Sequence, residues 1–135
     1  WLCQMRVAPY SYDLIDNGGR QSPRQLTPGL DDLAIDQEVM TIFKLADFER
    51  DRHFTIRMKK DSSASRTFGD ISCSYMIVPT SPTACRLLVK LIGTYPPGFK
   101  GMFMQAMLPW GDLVMMRRQL LRFKELAERS AHHAN

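Results

Sequence analysis

The run His53-Phe54-Thr55-Ile56-Arg57-Met58-Lys59-Lys60 alternates apolar and polar side chains without a break until its last residue. A strand turns successive side chains to opposite faces, so Phe54, Ile56 and Met58 fall on one side and Thr55, Arg57 and Lys59 on the other. Upstream, Val39 to Phe48 is rich in Val, Ile, Phe and Thr, and sets Thr41, Phe43 and Leu45 against Met40, Ile42 and Lys44. The polar Glu49-Arg50-Asp51-Arg52 between the two runs reads as a turn, which predicts an antiparallel pair. Downstream come a Ser-rich loop over Asp61 to Arg66 and a strand over Gly69 to Val78, with Ile71, Cys73, Tyr75 and Ile77 on one face. A turn at Pro79 to Pro82 leads to a last strand, Ala84 to Tyr95, whose Cys85, Leu87, Val89 and Leu91 share a face. Four meandering strands make an antiparallel sheet with one wetter face.

Past Pro96-Pro97-Gly98 the period changes from two to about three and a half. Leu113, Met116, Leu120, Phe123 and Ala127 recur at i+3 and i+4, with Arg118, Arg122, Glu125 and Arg129 opposite, so Lys100 to Ser130 is predicted as one amphipathic helix. Pro109 lacks a backbone N–H and should kink it. Val114, Met115, Leu121 and Leu126 widen the apolar arc, from which the helix is expected to be buried along most of its length against the sheet. Asp112, after Gly111, is expected to cap the segment starting at Leu113. Ahead of the sheet, Trp1 to Met5 reads as a helix end, and Ser11 as the cap of a short helix over Tyr12 to Asn17 stopped by Gly18-Gly19. Arg20 to Gly29 reads as a surface loop. The fold class is therefore α+β.

Composition bounds the function. The 135 residues are 44% hydrophobic and 24% charged, which suits a single globular domain, expected over residues 1–131 with a frayed tail at 132–135. A net charge of +4, with no cationic run longer than two residues, does not make nucleic acid the expected partner. No stretch approaches 18 uninterrupted apolar residues, so no transmembrane segment is expected. Three cysteines, Cys3, Cys73 and Cys85, without CxxC spacing indicate neither a disulfide framework nor a zinc knuckle, and a reducing, cytoplasmic setting is expected. Adjacent His132 and His133 do not have the spacing of a helix-face metal pair, and no GxSxG, Walker A, GxGxxG or HExxH pattern occurs, so neither metal nor cofactor is expected.

Several phrases together resemble one superfamily: W-L-C-Q-M at Trp1 to Met5, Y-S-Y-D-L-I-D-N at Tyr10 to Asn17 and L-T-P-G-L-D-D-L from Leu26. F-G-D at Phe68 to Asp70, C-R-L-L-V-K at Cys85 to Lys90 and G-D-L-V-M-M-R-R-Q-L at Gly111 to Leu120 continue the resemblance. The chain resembles SRPBCC proteins, which include polyketide cyclase-like, START-like and Bet v 1-like domains. The resemblance implies a helix-grip fold, a curved antiparallel sheet wrapped around the C-terminal helix and enclosing a hydrophobic cavity. It also implies a strand and a helix ahead of Trp1, so an N-terminally incomplete domain with an unpaired sheet edge is expected.

Within such a cavity, the side chains expected to line the ligand site are Phe54, Ile56, Met58, Cys73, Tyr75, Leu87, Val89 and Leu91 from the sheet, with Met107, Trp110, Met116 and Leu120 from the helix. Nine methionines, among them Met102, Met104 and Met115, offer adaptable walls. The implied function is binding of a hydrophobic small molecule or lipid. The alternative is a polyketide cyclase- or aromatase-like enzyme using the same cavity, with Tyr75 as the weak catalytic candidate, a phenol that donates to a ligand oxygen. His53 and Arg57, opposite the Phe54 face, are expected at the surface, and Asp13 and Asp16 in structural roles. Tyr10, Tyr12 and Tyr95 are expected near the cavity mouth. A third class is an interaction protein presenting Arg118, Arg122 and Arg129 to an acidic partner.

Overall fold

The computed structural model of the protein describes residues 1–133. Its elements run from a 3-10 turn at Leu2–Arg6 through helix α1 (Asp13–Asp16) to strands β1 (Glu38–Val39), β2 (Phe43–Glu49) and β3 (His53–Met58). Helix α2 (Ser63–Phe68), strands β4 (Asp70–Ser81) and β5 (Ala84–Thr94), and helix α3 (Phe99–His133) follow. The fold is α+β: a five-stranded open antiparallel sheet in the order β1-β2-β3-β4-β5, and a long C-terminal helix. Among the described residues no helix is long and apolar enough to cross a membrane.

The chain divides into two compact units, Ala34–Ala106 and a second made of Trp1–Leu33 with the chain from Met107 onward. The first holds the sheet. The alternation from Val39 to Phe48 predicts one strand, but Met40 and Thr41 take positive φ of 48° and 64°, which bends the chain into a tight reversal. One predicted strand thus becomes two that pair with each other, Val39 against Phe43. At the next turn Asp51 takes φ 60° and the Arg52 N–H closes onto the Glu49 carbonyl at 3.0 Å.

The loop predicted over Asp61 to Arg66 is in fact largely helical. Ser62 is its N-cap, with its hydroxyl accepting the Ser65 N–H at 3.0 Å. Gly69 ends it at φ +86°, against the Thr94 carbonyl.

The second unit is organised on the later turns of α3. Gln119 donates through Nε2 to the Pro9 carbonyl at 2.5 Å, Trp1 donates through Nε1 to Ser130 Oγ at 3.2 Å, and the Tyr10 ring lies 5.2 Å from that of Phe123. Met5, Ala8, Tyr10, Phe123 and Leu126 are its buried apolar residues. Tyr12, not Ser11, precedes α1, and no side chain caps that helix. Gly18 and Gly19 take the left-handed conformation expected of them.

Two helical expectations are corrected. Asp112 lies inside a continuous α3 rather than capping a new segment. The helix is also not buried along most of its length: Leu113, Val114, Leu121 and Ala127 are exposed, and among the described residues beyond Met107 those buried are Gln119, Phe123 and Leu126. The N-terminal segment covers a single stripe of the helix. A polar residue sits in that stripe because a backbone carbonyl satisfies its amide.

Candidate functional site

Strand register assembles most of the predicted lining residues. Ile56 stands opposite Leu45 on one side and Cys73 on the other, and Cys73 in turn opposite Leu91. Phe54 pairs with Tyr75 and Tyr75 with Val89, while Met58 pairs with Phe43 and Ile77 with Leu87. Residues paired across strands point to the same side, so these form one apolar face. Its burial is graded. Phe54, Ile56, Met58, Cys73 and Tyr75 are all at most 4% exposed, Leu87 and Val89 are half-buried, and Leu91 on the outermost strand is 37% exposed.

Val39, Phe43 and Leu45 belong to the same face. The alternation of Phe43 with Leu45 signalled it, but the strand pairing that brings β2 beside β3 is needed to join them to the site.

Polar chemistry gathers on the opposite face. The Thr55 hydroxyl donates to Ser74 Oγ at 3.0 Å, and Arg57 Nε donates to Asp70 Oδ1 at 3.2 Å. That guanidinium holds the Asp70 carboxyl below its usual range. His53 Nε2 lies 2.9 Å from Asp47 Oδ2. Arg57 is exposed and His53 partly so, as the alternation predicts. Tyr75 is instead surrounded in register by Phe54 and Val89, with Cys73 and Ile77 two residues away along β4. None of these four carries a carboxylate or an imidazole.

The predicted helix contributors belong to the other compact unit. Met107 and Trp110 are 55% and 69% exposed, and Met116 and Leu120 are half-buried. Met107 and Trp110 both lie on exposed turns of α3. Met102 and Phe103 are likewise exposed, whereas Met104 is buried. Asp112 is half-buried, and that burial pushes its carboxyl above the usual range.

Cys3, Cys73 and Cys85 are thiols rather than disulfides, and among the described residues no three His, Cys, Asp or Glu side chains gather as metal ligands. Comparison with family models, with curated proteins and with solved structures finds no match to this chain.

Proposed function

We propose that this protein is a binding module for a hydrophobic small molecule or lipid, held on the apolar face of its sheet. The observation that supports this reading is the burial gradient: an apolar face whose β3 and β4 residues Phe54, Ile56, Met58, Cys73 and Tyr75 are buried and whose last row of Leu87, Val89 and Leu91 is only partly covered. Three alternate positions of a strand span about 14 Å, at about 3.4 Å per residue. That row matches a small molecule or one acyl chain rather than the roughly 800 Å² per partner of a standard protein interface. The driving force is apolar burial, about 25 cal/mol per Å² before the cost of ordering the guest.

The test is native mass spectrometry of gently purified protein, with displacement of the dye ANS by fatty acid. A co-purified ligand or saturable displacement, weakened at least tenfold by Val89→Asp, is the expected result. Absence of both, or displacement unchanged in Val89→Asp, overturns the reading.

A further inference from the structure

One carboxylate ties α1 and the loop after it to α3. Asp13 Oδ2 accepts from Arg122 Nη1 at 2.8 Å, and Oδ1 accepts the Ser22 hydroxyl at 2.5 Å. The Gly19 N–H closes onto the Asp13 carbonyl at 2.8 Å, and Asn17 Nδ2 donates to the Arg20 carbonyl at 2.7 Å. The loop is therefore pinned, Ser22 is buried, and Arg24 is brought to the same cleft as Arg118 and Arg122 of α3. The cleft has a volume of about 70 Å³, and Tyr10, Ser22 and Glu125 also line it.

Its charge is unbalanced. Three guanidinium groups line it against one carboxylate, Glu125, which Arg129 Nη2 already holds at 2.5 Å. Arg122 is matched by Asp13. Among the described residues no carboxylate pairs with Arg24 or Arg118. The Arg118 guanidinium lies 6.0 Å over the Tyr12 ring, a contact that orients the group without cancelling its charge.

Tyr10 supplies an independent observation. It is fully buried, and its hydroxyl has no hydrogen-bond partner, which is rare for a buried phenol. Its backbone takes φ 60°, and its ring is set 5.2 Å from that of Phe123 and 6.4 Å from that of Trp1. Burial, reinforced by Cys3, pushes its pKa to about 12, so at neutral pH the phenol keeps its proton and remains a donor.

We propose that this cleft is a binding site for a phosphate group, either the free ion or the head of a monoester. Arg24 and Arg118 present the two uncompensated guanidinium forks, and Tyr10, whose hydroxyl has no partner, also lines the cleft. A carboxylate has two coplanar oxygens and satisfies one fork. A phosphate spreads up to two charges over a tetrahedron of oxygens and suits two arginines arriving from different elements. At about 70 Å³ the cleft suits a head group rather than a nucleoside. The site lies wholly within the unit built on the later turns of α3 and does not rest on the apolar-face reading, so either can fail alone.

Calorimetric titration of the full chain with inorganic phosphate, phenyl phosphate and acetate at fixed ionic strength tests the proposal. One site per chain is expected, with at least one phosphate compound bound tenfold or more tighter than acetate. Arg24→Gln/Arg118→Gln should lose at least tenfold and Tyr10→Phe three- to tenfold. Tighter binding of phenyl phosphate assigns a monoester, and tighter binding of inorganic phosphate assigns the free ion. No saturable heat, acetate binding as tightly as phosphate, or an unchanged double variant overturns the proposal. Should the double variant fail to fold, Arg24→Gln alone, in an exposed loop, carries the same test.

Discussion

Arg122 Nη1 lies 2.8 Å from Asp13 Oδ2, joining residues 109 apart in the chain. Both side chains are mostly withdrawn from water, and the second carboxylate oxygen is taken by Ser22. Burial alone would raise the Asp13 carboxyl, but the hydrogen bonds from Ser22 and Arg122 outweigh it and hold its pKa below the usual range. With the folded pKa below the unfolded one, the stabilisation is complete above about pH 4 and is lost as the pH falls through the depressed value. Asp13→Asn should therefore cost about 1–3 kcal/mol at pH 7, and the difference from wild type should shrink toward pH 2. Urea denaturation at both ends of that range measures it.

Three residues along, Asp16 should behave in the opposite way. Both of its carboxylate oxygens are buried, and burial, with the nearby charge of Asp13 adding to it, raises its pKa. A folded pKa above the unfolded one means that ionisation opposes folding, so stability is gained as the pH drops through the raised value. Asp16→Asn should raise Tm by about 1–3 °C at pH 7 and leave it unchanged at pH 3. An unaltered Tm at pH 7 would refute this assignment.

Glycines separate into positions that need the missing side chain and one that does not. A Cβ on Gly101 would sit 1.7 Å from the Pro96 carbonyl oxygen, and on Gly69, already at φ +86°, 1.9 Å from that of Thr94. Both obstacles are backbone, which has no rotamer to yield. Gly69→Ala and Gly101→Ala should each cost upwards of about 2 kcal/mol. Gly111 is inside α3 with nothing within 4 Å of an added Cβ. Gly111→Ala should stabilise by about 0.5–1 kcal/mol through helix propensity. Thermal melts of the three variants read the contrast directly.

The apolar face was legible because strand alternation is a local property: Phe54, Ile56 and Met58 had to share a side once β3 was recognised. Features set by backbone dihedrals were harder to see. Nothing in Met40-Thr41 announces two consecutive left-handed residues, and these split one apparent strand into β1 and β2. Helix α2 was hidden because six residues are too few to show a period, although Ser62 carried a capping signal. The stripe of α3 that is covered follows Gln119 and Phe123 rather than Leu113 and Ala127, since burial there depends on where Pro9 and Tyr10 fall in space. The arginine cleft was half visible as the Arg118, Arg122 and Arg129 strip. Its other half, Tyr10, Ser22 and Arg24, comes from a loop whose path is set by the Asp13 carboxylate and by two glycines, not by any periodicity.

The burial gradient across the sheet makes a quantitative demand. Ile56 is 1% exposed between Leu45 and Cys73, so Ile56→Ala removes buried methylenes and leaves a space that neighbours cannot fully close. A cost of about 2–4 kcal/mol is expected. Leu91 pairs with the same Cys73 from the other side yet is 37% exposed, so part of its side chain is already in water. Leu91→Ala should cost less, about 1–2 kcal/mol, in the free protein. Saturating fatty acid should widen the stability gap between wild type and Leu91→Ala, because a guest on that row stabilises only the chain that still presents the side chain. Equal costs for the two alanine variants without ligand would mean that β5 is as covered as β3, and the partly exposed row on which the binding proposal stands would not exist in solution.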